Sequence, residues 1–139
     1  MGTGNVIAET VDLAIGYNAR GKSTTVMDHL SLTARCGELV ALIGRNGTGK
    51  STLLRTMVAL QHPLHGTVRL QKQEINTLKS FNLPKIVSFT STEPIALRNI
   101  TVREVVALGR FPYTNWIGAL SSGDERSVSD ALEVTGLMA

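Results

Sequence analysis

Two periodicities alternate along this chain. From Asn5 to Tyr17 the apolar positions are Val6, Ile7, Val11, Leu13 and Ile15. From Ser23 to Ala34 the β-favouring Thr24, Thr25 and Val26 precede Leu30 and Leu32. Both stretches predict extended segments, joined by the polar, turn-forming run Asn18–Ser23. Glu38-Leu-Val-Ala-Leu-Ile43 is a short apolar run with β-formers, the pattern of a strand buried in a parallel sheet. The period then changes. Leu53, Leu54, Met57, Val58 and Leu60 suit one face of a helix over Ser51–Leu60, which His62-Pro-Leu-His-Gly66 ends. Thr67–Gln71 alternates as a strand does, and Lys85–Thr90 is a further candidate strand. Val102–Leu108 predicts a helix with Thr101 as N-cap, Glu104 three residues later and Gly109 at its close. A last helix opens at Ser122 or Asp124 and runs to about Leu137 through Val128, Ala131, Leu132 and Val134.

The junction between the apolar run and the first helix reads Gly44-Arg-Asn-Gly-Thr-Gly-Lys-Ser-Thr52. It satisfies every fixed position of the phosphate-binding pattern G-x-x-x-x-G-K-[ST]. Gly44, Gly47 and Gly49 admit backbone conformations that side chains forbid, so that successive N–H groups turn inward on a phosphate. The residues between them, Arg45, Asn46 and Thr48, belong to the same cradle, and Thr52 continues it into the helix. Lys50 brings a compact positive charge to the β- and γ-phosphates. The Ser51 hydroxyl is the expected Mg²⁺ ligand. Strand, loop and helix stand in the required order, with the positive end of the helix dipole facing the phosphates.

Bulk properties narrow the class rather than the function. Fourteen basic and eleven acidic residues give a net charge of +3, but the basic residues are scattered and form no block. A nucleic-acid footprint is therefore not expected, and the few aromatics suggest no base-stacking platform for a strand. The single cysteine, Cys36, excludes an internal disulfide. No apolar run approaches the ~20 residues of a membrane-spanning helix, and the N-terminus lacks the pattern of a signal peptide.

Forty-three residues, rich in strand patterns, precede the glycine-rich loop. That placement points to a β subdomain beside an α/β nucleotide core and argues against a small P-loop kinase. With these residues in view, the chain resembles the N-terminal part of an ABC transporter ATP-binding subunit, in the group that serves importers of iron-siderophore, haem or cobalamin complexes. Three stretches carry the resemblance: the loop extended through Leu-Leu-Arg55, Leu13-Ala-Ile-Gly-Tyr17 upstream of it, and Ile100-Thr-Val-Arg-Glu-Val-Val-Ala-Leu-Gly-Arg-Phe-Pro-Tyr113.

The resemblance implies a P-loop NTPase core of α/β class with an antiparallel β subdomain over residues 1 to about 95, and the start of a helical subdomain from about 96 to 139. It implies ATP and Mg²⁺ as cofactors. The partners it implies are membrane-spanning permease subunits and a second ATP-binding subunit in a head-to-tail dimer. The place it implies is the cytoplasmic face of the cell membrane. Tyr17 takes the position of the aromatic residue that stacks on adenine; read from sequence alone, it is also a strand-end Tyr with its hydroxyl in water. Arg110-Phe-Pro-Tyr113 and Trp116 fall near the family's contact with the membrane subunit, or form a local apolar cluster. His62 and His65 read as surface residues rather than metal ligands.

The chain departs from the family pattern in two ways. The glutamine expected near residue 90 is missing. Phe89-Thr-Ser-Thr-Glu-Pro94 offers Thr92 or Glu93 in its place, with Thr92 the weak candidate for Mg²⁺, unless both are ordinary loop residues. No apolar strand ending in Asp-Glu occurs, no later His fits the switch position, and Leu120-Ser-Ser-Gly-Asp124 comes too soon to be the signature motif. No catalytic residue is therefore assigned. The expected protein is a fragment that binds nucleotide weakly and hydrolyses it negligibly. The rival readings are a soluble ABC-type module without a membrane partner and a non-catalytic nucleotide-binding remnant.

Overall fold

A computed structural model of the chain describes residues 4–19, 21–78, 82–92 and 99–137. It divides into two compact units, Met1–Phe89 and Thr90–Ala139.

The first unit is organised by one long strand, β1 (Val6–Ala19). Its C-terminal half pairs antiparallel with β2 (Lys22–Leu30), and its N-terminal end with β3 (Thr33–Arg35). It also pairs with β4 (His65–Leu70), which β5 (Gln73–Glu74) flanks. The expected single extended segment Ser23–Ala34 is thus broken in two. The break has a local cause. The buried Thr10 hydroxyl donates to the Leu30 carbonyl and accepts from the Leu32 N–H, both at 2.9 Å, which draws the chain across β1 between β2 and β3.

Helix α1 (Lys50–Met57) lays Leu53 against Leu13 and Ile15 of β1 and Val68 and Leu70 of β4, and Ile75 closes the cluster. All six are almost wholly buried. The helix was expected to reach Leu60. It stops at Met57, because Ala59 enters the left-handed region at φ 56° and the Leu60 N–H turns back to the Arg55 carbonyl.

Two expected strands do not form. Glu38–Ile43 and Lys85–Thr90 carry no sheet pairing, and Leu39 is 100% and Ile43 90% exposed. A parallel strand is buried on both faces and needs neighbours along its edges. Among the described residues no strand lies beside either stretch. Lys85 instead ends a short 3₁₀ turn, Leu83–Lys85.

The second unit is a helix pair, α2 (Val102–Leu108) and α3 (Ser122–Val134). Thr101 caps α2 in a reciprocal capping box with Glu104, as the sequence pattern predicts. At the other end Gly109 follows in right-handed rather than left-handed conformation. Helix α3 opens at Ser122, one of the two expected starts, with Ser121 as its cap, and ends at Val134 rather than near Leu137. Asp124 is the reciprocal partner of that cap: the Ser121 N–H and hydroxyl donate to the Asp124 carboxylate at 2.9 and 2.6 Å. The Arg110 guanidinium adds a contact at 2.8 Å to the same buried carboxylate. Val128 and Leu132 form the buried side of α3, and Arg103 of α2 pairs with Glu125. Among the described residues no helix is long and apolar enough to cross a membrane.

The Ser121 hydroxyl and N–H, and then the Arg110 guanidinium, hold the Asp124 carboxyl down at about 2, below its ordinary value of 3.8. A depressed carboxyl stabilises the fold above its unfolded value, and that contribution disappears as pH falls toward the folded one. Asp124→Asn is therefore expected to be less stable than wild type at pH 6, with the gap narrowing as pH falls from about 4 to about 2. Urea unfolding followed by circular dichroism at the two ends of that window checks this. A gap independent of pH would contradict it.

Candidate functional site

The glycine-rich loop lies between the unpaired run ending at Ile43 and the first turn of α1. Gly47 and Gly49 occupy the left-handed region, at φ 82° and 97°. Gly44 does not, so the conformational argument applies to the later two glycines. Gly49 is the N-cap of α1 and has no side chain to cap it, so the N–H groups of the first turn have no intrahelical partner. A Cβ on Gly49 would stand 2.5 Å from Val26 Cγ1, so β2 packs directly against the loop.

The Lys50 ammonium folds over this loop. It donates to the Gly44 carbonyl at 2.7 Å and the Arg45 carbonyl at 2.6 Å. Thr48 ties the same turn by donating its hydroxyl to the Arg45 carbonyl at 2.9 Å. The loop is thus closed on itself by its own lysine, with the positive charge held over the cradle.

Around it lies a cavity of about 400 Å³ lined by Tyr17, Asn46, Gly47, Lys50, Ser51 and Thr52, with Val26 and Gly49 completing the wall. Ser51 is exposed here, while Thr52 is 5% exposed. The Thr52 hydroxyl lies 2.8 Å from the Tyr17 hydroxyl. The structure therefore brings Tyr17, on the strand, to the loop, thirty-five residues away. Its phenol does not end in water alone.

A second cavity in this unit is larger, about 720 Å³, and lies past the end of α1 among Leu60, Ile75, Leu78, Leu83 and Val87. Among the described residues its walls are mainly apolar, and His62 is their one ionisable side chain. A triphosphate needs converging donors and positive charge, which among the described residues the smaller cavity has and the larger lacks.

Of the remaining candidates, Thr92 is exposed and belongs to the second unit; Glu93 lies outside the described residues. His62 and His65 part company. His65 Nε2 sits 3.5 Å from Asp12, whose other oxygen takes His29 Nδ1 at 2.8 Å. This hydrogen bond raises the His29 pKa and lowers that of Asp12. Among the described residues no group of three or more side chains is arranged to hold a metal. In the second unit Phe111 and Trp116 are exposed, and the Arg110 guanidinium stacks 4.0 Å over the Tyr113 ring. Sequence reasoning missed Val26 as a wall of the cavity. It lies mid-strand with no motif around it, and only the packing of β2 on Gly49 reveals it.

A family model described as ABC transporter matches residues 27–139. The chain belongs to the ABC transporter family. The probable siderophore transport system ATP-binding protein YusV of Bacillus subtilis is 37% identical over 137 residues, covering 99% of this chain and 48% of that protein. The ferric enterobactin transport ATP-binding protein FepC of Escherichia coli is 36% identical over 125 residues, covering 90% and 45%. This ABC chain thus spans about half the length of the curated relatives it matches. A solved ATP-binding subunit of an ABC transporter superposes with a TM-score of 0.74 at 26% identity, over 94% of this chain and 51% of the other. A dimeric ATP-binding cassette bound to ADP and Pi superposes at 0.76 with 23% identity, over 95% and 58%, and shares the fold. The fold class expected from sequence, an ABC-type α/β domain with an antiparallel β portion and helices, is the one observed.

Gly49 is the position where loop and sheet constrain each other most. Gly49→Ala would meet both the left-handed backbone, at about 1–2 kcal/mol, and the Val26 side chain. It is expected to lower the unfolding midpoint and weaken nucleotide binding, read by thermal unfolding with and without nucleotide. An unchanged midpoint would show that the loop yields at no cost.

Proposed function

We propose that this chain carries the nucleotide-binding half of an importer ATPase, and that it takes Mg-ATP at the cavity between Tyr17 and α1. The observation that supports this best is the convergence on one small cavity of the α1 N-terminus, Lys50, the exposed Ser51 and the Tyr17 ring. The first-turn N–H groups and Lys50 suit the phosphates, the Ser51 hydroxyl suits Mg²⁺, and the ring suits adenine. Mg²⁺ would offset the charge on the β- and γ-oxygens. Thr92 is a weaker candidate ligand for the ion, on the family resemblance alone.

The transported cargo, in this reading, is an iron-siderophore, haem or cobalamin complex, in keeping with relatives such as YusV and FepC. The working assembly pairs two ATP-binding subunits head to tail on membrane-spanning permeases at the cytoplasmic face. The exposed Phe111 and Trp116 offer an apolar surface for such a partner. No residue of this chain is assigned as general base, so binding without appreciable turnover is the expected behaviour of the chain alone.

Titration of the full chain with a fluorescent ATP analogue tests the reading. Lys50→Ala removes charged hydrogen bonds to phosphate, so affinity should fall about 10- to 100-fold, with turnover at background in both proteins. Equal affinity in the two would overturn the site. Turnover that Lys50→Ala abolishes would overturn the claim of inactivity.

A further inference from the structure

Helix α1 grips the end of β1 at two points, one at each of its own ends. At its start the Thr52 hydroxyl meets the Tyr17 hydroxyl. Just past its end the Gln61 side-chain amide donates to the carbonyl of Gly16, the residue before Tyr17. Gly16 is closely packed on both sides. A Cβ there would stand 2.0 Å from the Thr24 carbonyl oxygen and 2.8 Å from Leu64 Cδ1. The backbone that aims the Tyr17 side chain is therefore pressed between β2 and the segment after α1, and Gln61 ties its carbonyl.

Tyr17 as a residue is 54% exposed. Packing alone does not hold the ring of a half-exposed residue, whose χ angles are otherwise free to hop. The two hydrogen bonds supply the missing restraint, one on the phenol tip and one on the backbone behind the ring. A wall fixed in advance loses less freedom when a ligand arrives, which raises affinity without adding a contact.

We propose that Gln61 is a positioning residue for base recognition. Together with Thr52 it holds the Tyr17 ring where a nucleobase stacks, and it acts on the base half of the ligand rather than on the phosphate half. Gln61 does not line the cavity, so it has no direct contact to offer the phosphates. This inference rests on the reading of Tyr17 as the wall for the base.

The experiment compares Mg-ATP with Mg-tripolyphosphate, which presents phosphates and no base, as ligands of the full 139-residue chain. Gln61→Met keeps the length of the side chain and removes the donor. It should weaken ATP about 3- to 10-fold, the range of one neutral hydrogen bond, and leave tripolyphosphate within about twofold. In a Tyr17→Ala background Gln61→Met should add nothing, since both changes act through the same ring. Tyr17→Phe, which frees the phenol end and leaves Gln61 in place, should reproduce the ATP-selective loss. Gln61→Ala, which removes the same donor and leaves a smaller side chain, serves as the second variant if Gln61→Met does not fold. Equal weakening of both ligands would show a merely structural role and overturn the proposal. So would no weakening of either, or an effect of Gln61→Met that persists without the ring. If Tyr17→Ala binds ATP as tightly as wild type, the assignment of the ring itself fails. If Tyr17→Ala weakens ATP and Gln61→Met does not, only the positioning role fails.

Discussion

Leu53, on the inner side of α1, shares one buried cluster with Leu13 and Ile15 of β1, and that contact decides where the chemistry of the first unit falls. A helix held by its middle against a strand has both ends fixed relative to that strand. The N-terminal end carries the glycine-rich loop, so the open N–H groups and Lys50 come to rest at the level of Tyr17. The C-terminal end brings Gln61 back to the same strand, one residue before Tyr17. Phosphate cradle and aromatic wall are thus two ends of one packing arrangement. A shift of α1 along β1 would separate them.

How much of this was legible in the sequence follows from how local each signal is. The loop motif could be read because its mechanism is contained in nine consecutive residues, Gly44–Thr52. The Thr101–Glu104 capping box was legible for the same reason. The opening of α3 at Ser122 was legible, but Ser121, Ser122 and Asp124 all have capping chemistry and only the observed hydrogen bonds single out Ser121 as the cap. The strands that failed were those whose stability is non-local. Glu38–Ile43 has the composition of a buried parallel strand and Lys85–Thr90 that of a strand, but strands exist only between neighbours. The antiparallel strands fared better, since β1 and β2 meet through a short turn and pair directly.

The same distinction applies within the site. Tyr17 was placed by resemblance; sequence left its hydroxyl in water, and the bond to Thr52 needed the helix and strand to be docked. Val26 and Gln61 carry no motif at all, and their roles come from what the fold sets opposite them. Of the departures noted near residue 90, Thr92 falls in the second unit. The family match, by contrast, agrees with the resemblance read from three short stretches of sequence.

The central claim is that nucleotide is taken at the junction of the glycine-rich loop and Tyr17. Amide chemical shifts of the isotope-labelled full chain, followed as Mg-ATP is added, address it residue by residue. The account predicts that the largest changes fall on Gly44–Thr52 and Tyr17. Changes centred on the apolar cavity around Leu60, Ile75 and Leu83, or none at all up to millimolar ligand, would contradict it.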